Sequence, residues 1–183
     1  MLNFVLGTAQ FSNNYGLTRS INPADKINAR KILNTAHQNG IRMLDTAASY
    51  KNALGLIGDN DPYRFKIFSK FNHNMPNFVS MVHELDYQLK MLSIDHMEGL
   101  LCHDLSYVLD NDSLVVELEE LKRLGKVKYF GVSIYSVEDL RSILKTGIIE
   151  HIDIIQFPLN PFNTSVAEYI HHEKLLSKKI LFS

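Results

Sequence analysis

Two residues near the first third of the chain have the types and the spacing for proton chemistry. Ile41-Arg42-Met43-Leu44-Asp45 reads as a short apolar strand after Gly40, and Tyr50 follows its carboxylate by five positions. In a parallel βα fold Asp45 lies at the strand's C-terminal end and Tyr50 in the loop beyond, the end where such folds build active sites. Later strands end the same way. Ser69-Lys70 closes the third, Cys102-His103-Asp104 the fourth and Gly131-Val132-Ser133 the fifth, while the sixth carries Gln156 and Asn160. Taken singly these residues have ordinary readings: Asp45 a helix N-cap, Tyr50 a surface phenol, Lys70 a snorkelling lysine, His103 a satisfied structural histidine. As a set they are polar groups converging on one rim, which an active site requires. A lysine ending an apolar strand needs a counter-ion to stay charged, and Asp45, one strand away, is the candidate.

The elements that must position these residues follow from periodicity and punctuation. Leu2 to Phe11 reads as a strand broken by Gly7. Asn22-Pro23 opens a helix with the stripe Ile27, Ile32, Leu33 and Ala36, stopped by Gly40. After the strand to Asp45 comes a short helical piece to Gly58, then a strand from Phe65 to Phe71. Pro76 opens a helix with the stripe Phe78, Val82, Leu85, Leu89 and Leu92. Met97 to His103 is the fourth strand, and Leu114, Leu118, Leu121 and Leu124 mark a helix closed by Gly125. Val127 to Ser133 is the fifth strand. Ser136 caps a helix ending at Gly147, and Ile152 to Phe157 is the sixth strand. A helix follows from about Ser165 to Leu176, and Lys179 to Phe182 starts a seventh strand.

Strand and helix alternate about every thirty residues with no break in composition. Residues 1–183 are therefore expected to form a single α/β domain with a parallel sheet, either doubly wound or a closed (β/α)8 barrel. The length, 183 residues, suits one domain with a real core. With 19 Lys+Arg against 20 Asp+Glu, no basic footprint for nucleic acid or an anionic membrane is present. No apolar run is long enough to span a bilayer, and the N-terminus lacks a signal-peptide pattern. The single cysteine, Cys102, excludes an internal disulfide and a cysteine metal cluster. A cytoplasmic location is expected. A metal-dependent hydrolase would need several converging ligands, but His103 and Asp104 are adjacent and His171-His172 fall on a helix, so no metal is expected.

The chain resembles the aldo-keto reductases. The matching segments are Leu6-Gly7-Thr8-Ala9-Gln10-Phe11, Leu44-Asp45-Thr46-Ala47 with Tyr50, Phe68-Ser69-Lys70, Leu101-Cys102-His103, Leu124 to Ser133 and Gln156-Phe157-Pro158-Leu159-Asn160. The resemblance implies a (β/α)8 TIM-type barrel binding an extended nicotinamide cofactor without a Rossmann fingerprint. It implies NADP(H) in preference to NAD(H) and a small-molecule carbonyl substrate. It also implies a catalytic tetrad of Asp45, Tyr50, Lys70 and His103. Tyr50 would be the general acid, Lys70 would stabilise its phenolate, Asp45 would hold the lysine charged, and His103 would orient the carbonyl. Ser133 and Gln156 would hold the nicotinamide carboxamide, and Phe182 would stack on the ring.

Departures from the family pattern are Ile134, where asparagine often follows the serine, Lys51, where glycine follows the tyrosine, and Leu54, in the place of a glutamate. The chain also stops at Ser183, inside what the resemblance makes the seventh strand, whereas a complete barrel takes about 250 residues. The expectation is an incomplete barrel of about seven strands. It would be a fragment of a longer protein or a chain that self-associates to cover its open sheet edges. The alternative to a reductase is a non-catalytic remnant or a regulatory or interaction module.

Overall fold

The computed structural model describes residues 4–12, 26–50, 52–71, 78–111, 113–173 and 179–182, with the backbone alone at 26, 27, 78 and 179–182. Pro23, Lys51 and Pro76 lie outside the described residues, as does the side chain of Phe182. The chain groups into two compact units, Met1–Glu98 and Gly99–Ser183.

In the N-terminal unit the strands β1 (Val5–Gly7), β2 (Met43–Asp45) and β3 (Lys66–Phe71) run parallel in that order. Leu6 pairs with Leu44 and Leu44 with Ile67, while Gly7 pairs with Asp45 and Asp45 with Phe68. The helices are α1 (Lys26–Gln38), α2 (Ala53–Gly58) and α3 (Phe78–Leu92). Gly40, at φ +84°, takes the left-handed backbone that ends α1 and turns the chain toward β2. The buried face of α1 is Ala29, Leu33 and Ala36, while Ile32 is 41% exposed. Spacings of four and three keep the first three residues on one side, and Ile32 falls outside that stripe.

The buried face of α3 is Met81, Leu85, Gln88, Leu89 and Leu92, with Met81 in the place expected for Val82. Gln88 is a polar residue within this stripe, and its Oε1 accepts a 2.6 Å bond from the buried Ser69 hydroxyl. Ser69 thus faces α3 and Lys70 the other side of β3, as successive strand residues must. Gly58 is where α2 meets α3. A Cβ there would stand 2.2 Å from the Met91 carbonyl oxygen, so only glycine permits the contact.

The unit boundary falls inside β4 (Met97–Cys102). The C-terminal unit continues with α4 (Leu105–Leu109), α5 (Leu114–Arg123), β5 (Val127–Ser133), α6 (Val137–Thr146), β6 (Ile154–Phe157), α7 (Ser165–His172) and β7 (Lys179–Phe182). Its strands follow the order β4, β5, β6, β7. Val132 pairs with Ile155, Ser133 with Gln156 and Gln156 with Leu181. All of β6 is buried, the signature of a parallel strand covered on both faces. Leu114, Leu118 and Leu121 bury one side of α5, whereas Leu124 lies past the helix end and is 48% exposed. α6 starts with a reciprocal capping box between Ser136 and Asp139 and stops at Gly147, φ +76°. The short helix α4 was not foreseen. It fits no long apolar period and is set by Asp104, whose carboxylate accepts from Ser106 N at 2.9 Å.

Candidate functional site

The C-terminal end of β2 is tied on both sides. Thr8, fully buried after β1, donates from its N–H and its Oγ1 to the Asp45 carbonyl, each at 2.9 Å. Beyond Asp45, Thr46 N bonds Phe68 O at 2.9 Å and Ala48 N bonds Lys70 O at 3.0 Å, so the segment stays laid along β3. Asp45 and Lys70 therefore meet: Lys70 Nζ donates to Asp45 Oδ1 at 2.5 Å and to the Thr46 carbonyl at 3.3 Å. The side chains are only 12% and 7% exposed. Asp45 is thus the lysine's counter-ion and not a helix cap. Each charge here is compensated by the other, and removal of either leaves a buried charge unpaired.

Tyr50 lies in the turn that leads from this strand end into α2. Its N–H bonds Ala47 O at 3.0 Å and its carbonyl accepts from Ala53 N at 2.8 Å; the residue is half-buried. Leu54, where the resemblance leads one to expect a glutamate, is buried in α2 at 3% exposure.

In the C-terminal unit the ends of β5 and β6 carry neutral groups. Ser133 and Gln156 are register partners at the ends of β5 and β6, 4% and 3% exposed. The Ser133 hydroxyl donates to Gln156 Oε1 at 3.3 Å. Their pairing continues through Ile134 N, which bonds Gln156 O at 2.8 Å. The Ile134 side chain is fully buried, so no amide replaces the expected asparagine there. Asn160 is exposed and spent on its own turn: it bridges Asn163, and its Oδ1 accepts from Phe162 N at 2.9 Å.

His103 is exposed at the end of β4, between two anchored neighbours. Cys102 Sγ lies 3.2 Å from the Asp104 carbonyl, and Asp104 caps α4. Burial pushes the Cys102 thiol up to about 12, so it stays protonated and inert. Asp104 is a structural cap. Tyr135, just beyond β5, meets His103: its Oη lies 3.4 Å from Nδ1. Sequence reasoning did not single out Tyr135, although its position two residues after Ser133 was a signal. Phe182 belongs to β7 and is the register partner of Phe157.

The model of the aldo/keto reductase family matches residues 3–177. The chain belongs to this family. Among curated proteins it is similar to glyoxal reductase of Bacillus subtilis (strain 168), 28% identical over 152 residues. That match takes in 80% of the chain but 50% of the relative, so the chain spans about half of that protein's length. Among solved structures it is similar to an aldo-keto reductase from Pseudomonas aeruginosa, with TM-score 0.81 and 24% identity over 97% of this chain and 71% of that one. An aldo-keto reductase from Klebsiella pneumoniae in complex with NADPH gives TM-score 0.73 and 20% identity over 96% of this chain and 61% of that one. The fold class is accordingly α/β, and the expected incomplete (β/α)8 barrel agrees with these likenesses. No helix among the described residues is long and apolar enough to cross a membrane.

Proposed function

We propose that the chain carries the carbonyl-reducing site of an NADP(H)-dependent aldo-keto reductase. The observation that supports this best is the buried Asp45–Lys70 pair at the strand ends that lead into the Tyr50 turn. A desolvated ion pair is costly to build for stability alone, and strand-end positions are where such folds do chemistry.

The donor set fits a nicotinamide cofactor. A carboxamide offers one carbonyl acceptor and two N–H donors, and the buried Ser133 hydroxyl and Gln156 amide supply both kinds of complement. When bound, that cofactor supplies hydride to the carbonyl carbon. Tyr50 donates the proton to the carbonyl oxygen. An ammonium close to a phenol favours its ionised form, so Lys70 eases the transfer, and Asp45 keeps Lys70 charged and in place. His103 donates a hydrogen bond that orients the carbonyl. Phe182 is assigned the face of the nicotinamide ring. The substrate class is a small aldehyde or ketone, and no metal takes part.

Tyr50→Phe is expected to lower carbonyl reduction by about a hundredfold or more, the usual scale for a general acid, with NADPH affinity unchanged by fluorescence titration. Unchanged turnover in this variant would remove Tyr50 from the role. A second reading, a non-catalytic relative acting as a regulatory or interaction module, is favoured by the buried Ile134 where an amide was expected. The same titration decides between them, because the non-catalytic reading requires that NADPH does not saturate the protein.

A further inference from the structure

His103 and Tyr135 come from the ends of different strands, 32 positions apart, both within the C-terminal unit. Tyr135 Oη lies 3.4 Å from His103 Nδ1, and the rings stand edge to face, centroids 6.1 Å apart with an 80° interplanar angle. Both are presented from fixed backbone. Tyr135 N donates to Asp139 Oδ2 at 2.8 Å, inside the capping box of α6, and His103 sits between Cys102 and the cap Asp104.

A neutral imidazole has one N–H and one lone pair, and the bond at one nitrogen selects which site holds the proton. A phenol donates well and accepts poorly, because its oxygen lone pair is delocalised into the ring. A phenol that donates to Nδ1 meets a lone pair there, and that arrangement leaves the proton on Nε2. At 3.4 Å the contact is at the long end for an O–H···N bond, so it biases a tautomer and adds little to fold stability.

We propose that Tyr135 is a positioning residue for His103: its hydroxyl donates to Nδ1 and keeps Nε2–H as the donor offered to a substrate carbonyl. The inference rests on the reductase reading for its consequence, but its geometry is independent of it. The experiment is 15N imidazole spectroscopy of the full chain above the histidine titration range, with His103 assigned by its loss in His103→Asn.

The expected spectrum shows a hydrogen-bonded, unprotonated Nδ1 and a protonated Nε2. In Tyr135→Phe the Nδ1 signal should move toward that of a free lone pair, with a larger share of the other tautomer. Identical His103 signals in the two proteins would overturn the proposal whatever the activity.

In carbonyl reduction, Tyr135→Phe should lower kcat/KM about threefold to tenfold, the scale of one weak hydrogen bond, with NADPH affinity unchanged. Shifted spectra with turnover damaged by His103→Asn but not by Tyr135→Phe would overturn the positioning role. Shifted spectra with no effect of either variant on turnover would instead defeat the assignment of His103 to the carbonyl.

Discussion

The strand ends of the two units solve the problem of buried polarity in different ways. In the N-terminal unit, Asp45 and Lys70 are both charged and both nearly dry, joined at 2.5 Å and steadied by Thr8 and the Thr46 carbonyl. In the C-terminal unit, Ser133 and Gln156 are equally buried but neutral, joined at 3.3 Å, and His103 and Tyr135 are left at the surface. Charge inside a protein is tolerated only in pairs, whereas a neutral amide or hydroxyl loses much less when a partner is removed. The difference fits the proposed division of labour. A proton donor needs a strong local field, and a carboxamide needs only matched hydrogen bonds.

The sharpest way to break the comparison is Lys70→Met. The stem's packing is kept and the charge is lost, so Asp45 is left as an unpaired buried carboxylate. Unfolding free energy from denaturant melts should fall by about 3–5 kcal/mol, and reductase turnover should vanish. A loss below about 1 kcal/mol would mean that the pair is solvated in solution. We further propose that residues 1–183 unfold as one domain; in the same melts, probes placed in each unit should then report a single midpoint, and two midpoints would contradict this.

Next in size is a purely steric effect at the other rim. Gly131 lies on β5 two residues before Ser133, where a Cβ would stand 2.7 Å from the Ile154 carbonyl oxygen and 2.8 Å from its Cβ. Because the nearest atom is backbone, the sheet itself must give way. Gly131→Ala should cost about 1–3 kcal/mol and disturb the Ser133–Gln156 register, which amide exchange across β5 and β6 would report. Exchange protection as in the parent protein would show that this sheet can absorb the methyl.

These cases also show what the sequence made legible. The Asp45–Lys70 pair could be anticipated because an isolated lysine in an apolar strand demands a counter-ion, and parallel register brings neighbouring strand ends together. Both strands, and the stops at Gly40 and Gly147, follow from local chemistry that tertiary packing does not override. Ser69, Asp104 and Asn160 also stand at strand ends in the sequence pattern. The structure spends them on Gln88, on a helix cap and on a turn. Their partners lie outside the strand pattern, so strand periodicity had no access to them. The meeting of Tyr135 with His103 was hidden for a similar reason: it depends on two loops beyond the strands.

Ser133→Ala sharpens the contrast at a smaller scale. Removing one side of a neutral pair should cost about 1 kcal/mol, well under the loss from Lys70→Met. If the pair also holds the carboxamide, NADPH affinity should fall about fivefold to tenfold in fluorescence titration. A stability loss equal to that of Lys70→Met would erase the distinction between charged and neutral rims.

The smallest effect concerns Cys102, a buried titratable group at the end of β4. It is fully buried, and loss of hydration raises its thiol to about 12 against an ordinary value of about 8.5. The sign follows directly. The folded protein holds this proton more tightly than the unfolded chain, so the stabilisation is complete below about 8.5 and declines as pH rises toward 12. At pH 8 the folded protein should react with a thiol reagent no faster than it opens, and denaturant should release one thiol per chain at once. Rapid labelling of the native protein at pH 8 would show that this rim admits charge and water, and the contrast with Asp45 and Lys70 would then rest on the strand register alone.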